Sequence, residues 1–392
     1  MRPRAGASLG ALIGVGLLAF AQGTAAQQFT TDAARIDLSG RFQTQLRGSS
    51  CSSFATGDAG SACSEDVPGL DLFIRRARLT IDVTFNDWIS GKFQPEYGEE
   101  FGDLTLKDAY GLLNLNPEAE NTHAQIRIGH FKRPFDGFQM TSSTQILTIE
   151  RDIDIPGVAG LTALSFDELT TANDLSDRDI GVMVDGSLDA EGSLHYWAGV
   201  FNGRGPRDNE DLNGQKQFVG RLRYSTSAGE HPLAINGAIA ITDIPFTRSD
   251  ETLDGRYFAA LELFAELGNH SAGPHVQAGL VFGKNGLQNE AGTTPDHEAE
   301  DPLASMVSWQ AIGTWKLEVE DGYFFTAIEP LFRVTVSDPN RDVEGDRVTA
   351  LTPGVQVFFG GRNKLAINWD FVSLGGGLDS ENSFKAQYQF HF

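Results

Sequence analysis

The chain is poor in cysteine: only Cys51 and Cys63 occur in 392 residues. They bracket a stretch of Ser, Gly, Ala and Asp, too far apart for a CxxC redox pair and too few for a zinc site. In an exported chain the expected outcome is a single disulfide that ties one loop. Positive charge is also scarce. Thirty Lys and Arg face 53 Asp and Glu, a formal charge of −23. Nucleic acid needs clustered Lys and Arg on its phosphates, so it is excluded as a partner. Enzyme signatures are missing: there is no GxSxG, no HExxH and no phosphate-cradling Gly loop. His123, His130 and His391 have no companion at ligand spacing, and Asp338 to Asp342 has Val343 where a calcium loop needs Gly. The sequence therefore implies no enzyme, no metal and no cofactor.

Long apolar runs are absent too. Leu9–Phe20 is apolar but short of the roughly 20 residues that a spanning helix needs. With Arg2 and Arg4 before it and Thr24, Ala25 and Ala26 after it, it reads as an export signal over residues 1–26. Beyond it, every apolar run is broken by a charge or an amide within about ten residues. No Pro-rich, Ser-rich or low-complexity linker divides residues 27–392, which are expected to form one domain. Lipid offers no partner to an unpaired backbone group, so an exported membrane protein without spanning helices must be a closed barrel. The competing class is a soluble secreted β protein.

What is present favours the barrel. Glycine is abundant (44) and Phe (27) dominates the aromatics. The repeating signal is alternation over about ten residues, the period of a half-buried strand. Ile36, Leu38, Phe42 and Leu46 share one face, and Asp37, Arg41, Gln43 and Arg47 the other. In the next strand Phe73, Ala77, Leu79, Ile81 and Val83 are expected to face lipid, with Arg76 and Arg78 opposite. Further strands are expected near 88–97, 105–115, 123–131, 179–189, 193–202, 215–226, 232–242 and 256–267. The rest fall near 273–283, 303–319, 322–336, 347–359, 363–374 and 382–392. Short gaps alternate with long ones, which predicts a 16-stranded antiparallel transmembrane β-barrel with turns at one rim and loops at the other. The chain ends on Phe384, Ala386, Tyr388, Phe390 and Phe392 at alternate positions, like the assembly signal of Gram-negative outer-membrane proteins. The expected surroundings are outer-membrane lipid and lipopolysaccharide.

Several stretches resemble a known family. Phe73–Leu79 (FIRRARL), Leu106–Tyr110 (LKDAY) and Ile128–Phe135 (IGHFKRPF) are similar in order and spacing to the phosphate-selective porin O/P family. Thr141–Ser143 and Ile149–Arg151 continue the resemblance, which covers roughly residues 70–155. It implies a porin, commonly a homotrimer, whose third long loop folds into the lumen and whose inward Arg and Lys guide phosphate or other small anions. Residues 132–178 are the corresponding long loop here, and a long irregular segment in a compact protein is usually functional.

Alternation places Arg41, Arg76, Arg78, Arg127 and Arg221 on polar strand faces, and Lys132, Arg133 and Arg151 enter through the loop. Guanidinium groups in a water-filled pore attract anions. Against this stand Asp82, Glu96, Glu150, Asp152 and Asp154, close enough in sequence to neutralise them. The leading expectation is a passive pore. The alternatives are a structural or adhesive barrel plugged by 132–178, through Phe135, Phe138, Ile146 and Leu147, and a barrel lipid hydrolase, for which no outward Ser/His pair is found.

Overall fold

A computed structural model describes residues 27–31, 33–53, 63, 67, 69–98, 102, 104–118, 124–158, 165–203, 205, 214–243, 257–295, 301–320, 322 and 324–392. The export-signal segment and His123 lie outside the described residues. A short strand, β1 (Gln27–Thr30), precedes β2 (Arg35–Ser49), β3 (Asp71–Thr84), β4 (Ile89–Gly98), β5 (Leu104–Asn114) and β6 (Ala124–Lys132). After the long third loop come β7 (Arg178–Ser187), β8 (Leu194–Phe201), β9 (Gln217–Ala228), β10 (His231–Asp243) and β11 (Tyr257–Gly268). The ring is completed by β12 (Gly273–Asn289), β13 (Leu303–Glu318), β14 (Ala327–Asp338), β15 (Val348–Gly360), β16 (Asn363–Ser373) and β17 (Glu381–His391).

Strands β2 to β17 form a closed antiparallel ring of 16, each bonded to its sequence neighbour. Closure is made by β17 on β2, from Ser383↔Ser49 to His391↔Arg41, and ends where Phe392 and Gly40 exchange backbone hydrogen bonds. β1 then takes up the rest of that edge, pairing Gln27–Thr30 with Leu38–Arg35. The ring leaves no open edge for another chain to join.

Alternation sets the two faces. In β16, Lys364, Ala366, Asn368, Asp370 and Val372 are buried, while Leu365, Ile367, Trp369 and Phe371 are exposed. The same rule puts a belt of large exposed side chains around the outside, with Trp88, Tyr224 and Trp315 near the short-turn rim. Such a belt suits lipid with aromatics at its interface. Two strands depart from expectation: Gly322 and residues 324–326 are not strand, so that β14 starts at Ala327, and β12 runs on to Asn289.

The interior of β7 to β13 carries an apolar cluster among its polar side chains. Met183, Phe201, Val219, Phe258, Phe264 and Met306 point inward and are buried against Phe135, Phe138, Leu147, Phe166 and Leu169 of the third loop. Polar-in alternation fails here because the loop, rather than water, covers these faces. Two short helices, α1 (Gly137–Met140) and α2 (Phe166–Ala172), carry much of the contact. The Phe138 ring lies edge-on to Phe166 at 5.2 Å and to Phe264 at 5.1 Å. The approach needs glycine on both sides. A Cβ on Gly137 would lie 2.3 Å from Phe264, and one on Gly279 would lie 2.7 Å from Phe138.

Cys51 and Cys63 are disulfide-bonded with Cα atoms 5.4 Å apart. Cys63 also forms an isolated bridge to Val158, and Ser49 donates to the Pro156 carbonyl at 2.6 Å, so the first long loop braces the third.

Phe138→Ala should remove about 3–5 kcal/mol of packing from the loop core while leaving ring closure intact. Amide hydrogen exchange would then rise over 135–175 and stay low over β14–β17. Equal exchange in the loops of variant and parent would refute this role for the aromatic cluster.

Candidate functional site

Two β-bulges build the site. In β3 the register shifts between Gln43 and Thr44 of β2: Gln43 faces Arg76, but Thr44 faces Ile74. Arg75 is the extra residue. A bulge flips side-chain parity on one side of itself, so Arg75 and Arg76 both turn inward. The shift also reverses Phe73, expected to face lipid. It faces the interior, with the Arg47 guanidinium 4.6 Å from its ring centre. In β5 the same happens at Lys107, because Gln94 faces Asp108 while Pro95 faces Leu106. Lys107 and Asp108 therefore share the inner face. His130 Nδ1 lies 2.7 Å from the Lys107 carbonyl and satisfies this bulge.

The inward charges of β3 and the start of β7 meet partners. Arg75 grips Glu150 through Nε at 2.6 Å and Nη2 at 3.1 Å. Arg76 donates to the same carboxylate at 3.1 Å and to Gln43 at 3.1 Å. Arg78 pairs with Glu96 and donates to Gln94 at 3.1 Å. Arg178 donates to Asp108 at 2.7 Å and to Asp177 at 3.1 Å. Glu150 belongs to the third loop, so the Arg75/Arg76 contact ties loop to wall. Burial raises the Glu150 pKa, but Arg75 and Arg76 outweigh that and hold it down at about 2.

On its other side the loop is held by backbone. Arg333 Nη1 donates to the carbonyls of Glu150, Arg151 and Asp152 at 3.0–3.2 Å, and Lys385 donates to Asp154 at 2.6 Å. Gln356 donates to Leu147 and Asn368 accepts from Ile149, both at 2.6 Å. These side chains project inward from β14–β17. Residues 133–158 and 165–177 thus line the inner faces of β7–β17, by apolar packing with some hydrogen bonds on one arc and by hydrogen bonds on the other.

A cavity of about 890 Å³ remains between the loop and strands β2–β7. Eight basic and eight acidic side chains line it. Seven of the basic ones, including Arg47, Arg76, Lys107 and Arg178, come from strands. Seven of the acidic ones, including Glu150, Asp152, Asp154 and Asp167, come from the loop. One wall is positive and the other negative.

Of the residues singled out from sequence, Arg76, Arg78, Lys132 and Arg151 line this cavity. Lys132 and Arg151 are held by carbonyls: both donate to Thr141, Lys132 also to Gln139, and Arg151 also to Phe138 at 2.9 Å. Arg41 lies directly opposite Arg78 across the β2–β3 ladder and is 8% exposed. Arg127 lies outside the cavity lining, over the Tyr110 ring at 4.8 Å and 3.9 Å from Asp185. Arg133 is sealed, donating to the Asp174 and Ser176 carbonyls and to Gln217 at 3.0 Å. Arg221 sits on the far wall, donating to Glu262 at 2.9 Å and Asn236 at 3.2 Å. Arg47, Arg75, Lys107 and Arg178 were not singled out. For Arg75 and Lys107 the signal was there: two successive charges, Arg75-Arg76 and Lys107-Asp108, interrupt alternation.

The loop also has an acidic anchor. Asp136 caps α1, accepting from the backbone N–H of Phe138 at 2.9 Å and from the Thr170 hydroxyl at 2.7 Å. Glu262 accepts from the neighbouring backbone N–H groups of Asp136 and Gly137 at 3.0 and 2.6 Å. Burial, then the Glu262 charge, pushes the Asp136 carboxyl up to about 7.

The profile of the phosphate-selective porin O and P family matches residues 64–260. Among solved structures, the chain is similar to OprB of Pseudomonas putida (TM-score 0.58, 9% identity, covering 91% of this chain and 94% of that one). It is similar to an anion-selective porin from Comamonas acidovorans (TM-score 0.57, 12% identity, 92% and 100%). It is also similar to OmpT, an outer membrane protein of Vibrio cholerae (TM-score 0.51, 14% identity, 94% and 100%). At these identities the likeness is one of fold. No curated protein matches the sequence.

Two outcomes are expected. Glu150→Ala leaves two buried guanidinium groups without their carboxylate, a loss of about 3–5 kcal/mol for a broken buried pair. Limited proteolysis within 142–156 should speed up, and unchanged cleavage would show that the pair does not hold the loop. The raised Asp136 pKa means that the folded loop binds this proton more tightly than an unfolded one. Its anchorage should therefore strengthen as pH falls from about 7 towards the ordinary value of 3.8. The Glu150 pair works oppositely but weakens only below its ordinary value of 4.5, towards 2. Hydrogen exchange at Phe138 should slow between pH 7 and 5 after correction for intrinsic rate, and Asp136→Asn should flatten that trend.

Proposed function

The chain belongs to the phosphate-selective porin O and P family, and from that premise we propose that small hydrophilic solutes cross it through the cavity beside residues 133–177, with anions preferred. It is an outer-membrane porin of a Gram-negative cell, a passive channel. The proposal concerns route and sign. Residues 133–158 and 165–177 act as the constriction, because they pack on inward side chains of the barrel wall and leave the cavity beside β2–β7.

Arg41 carries the case for anions. No hydrogen bond or ion pair to it is found among the described residues, and its Nε is buried without a partner. Its cross-strand neighbours are Arg78 and His391. Like charges directly opposite each other on a sheet repel. Arg78 is compensated by Glu96, whereas Arg41 has no carboxylate in contact among the described residues. A desolvated guanidinium favours an anion there, and its planar fork matches carboxylate and phosphate oxygens. Phosphate is one such anion, and the family description names it. The homotrimer implied by the family and divalent bridging to lipopolysaccharide are proposed on the same footing.

Purified protein in planar bilayers should give steady conductance steps. No steps at all would defeat the pore reading. In a potassium chloride gradient the reversal potential should favour chloride. A charge about 4 Å away is worth about 1 kcal/mol even at the dielectric of water, so Arg41→Gln should lower the chloride-to-potassium ratio roughly fivefold. An unchanged ratio would remove Arg41 from the argument and leave the pore standing.

A further inference from the structure

We infer that this pore favours small zwitterions, such as free amino acids and short peptides, over solutes that carry charge of one sign. The inference rests on the pore reading above and adds the class of solute.

The lining of the cavity is balanced in sum and divided in space. All but one of its basic side chains come from the strands, and all but one of its acidic side chains come from the loop. A lone anion gains at the strand wall and loses at the loop wall. A solute with a carboxylate at one end and an ammonium at the other gains at both. Narrow clefts between low-dielectric walls focus such fields.

Groups on both sides are able to receive it. Asp152 is half-buried, and its carboxylate has no hydrogen bond or ion pair among the described residues, Arg333 reaching only its backbone carbonyl. Asp154 meets Arg47 at 3.6 Å, longer than a hydrogen bond, and its side chain is 44% exposed. Arg47 belongs to the wall and Asp154 to the loop, so their contact spans the cavity. A zwitterion can exchange for it without loss of pairing: its carboxylate takes the place of Asp154 on Arg47, and its ammonium takes the place of Arg47 on Asp154. A lone anion takes Arg47 and leaves the Asp154 carboxylate uncompensated, and a lone cation must compete for Asp154 with an Arg47 that also holds Asp71 at 3.2 Å. Lys132 also lines the cavity, its ammonium donating to the Gln139 and Thr141 carbonyls.

Liposome swelling tests this with four solutes of nearly one size: glycylglycine, the same dipeptide capped at both ends, capped only at the amine (an anion), and capped only at the carboxyl (a cation). Glycylglycine should enter about threefold faster than the doubly capped form, with the anion next and the cation slowest. The double variant Asp152→Asn/Asp154→Asn should slow glycylglycine more than it slows the doubly capped dipeptide. These two side chains are partly exposed, so folding should tolerate the change. Equal rates for glycylglycine and the doubly capped form would overturn the inference while leaving the pore in place. The same holds for an anion as fast as glycylglycine. No swelling with any of the four would overturn the pore reading and this inference with it.

Discussion

Backbone in lipid has no water to bond, so a sheet that crosses a membrane must close on itself. In this chain closure falls on β17 and β2, and the remaining features follow from it. A closed sheet has a definite inside. Side-chain period two then assigns every strand residue to lipid or to lumen, and a one-residue shift reverses the assignment. The architecture therefore depends on parity, and the functional site is built where parity is broken twice.

Inside the ring two kinds of attachment hold the third loop. Against β7–β13 it is apolar packing, set by aromatic rings and by glycines that allow close approach, with Glu262 and Gln217 adding hydrogen bonds. Against β14–β17 it is hydrogen bonding of loop backbone by buried Arg, Lys, Asn and Gln side chains. The second kind engages loop backbone, so that seven loop carboxylates can line the cavity opposite a barrel wall rich in arginine. Glu150 is drawn fully onto the wall, because the bulge presents it with two guanidinium groups.

Much of this was legible in the sequence. The 16 strands, their short turns and the long third loop follow from alternation, because a strand between lipid and lumen has one clean apolar face. Legibility failed where that premise failed. Met183, Phe201 and Phe264 are apolar and inward, and nothing local reveals that a distant loop covers them. Phe73 was assigned to lipid because strict alternation was carried through the bulge. The pairing of Arg75 and Arg76 with Glu150 is a contact between a strand and a loop far along the chain, which period-two reasoning cannot reach. Arg133 and Arg151 looked alike in sequence. Only the fold separates a guanidinium sealed behind the loop from one beside the cavity.

The off-centre position of the loop core has a geometric consequence. The free space lies against one sector of the wall, so it is a slot and not a tube. A tube has one limiting dimension, its diameter. A slot has two: thickness, set by how far the loop stands from β3 and β5, and breadth, set by the arc of wall left uncovered. Thickness is governed by the length of a few side chains, and breadth by whole strands. Substitutions among those side chains would therefore change which shapes fit, flat or round, while the size of the barrel itself stays the same.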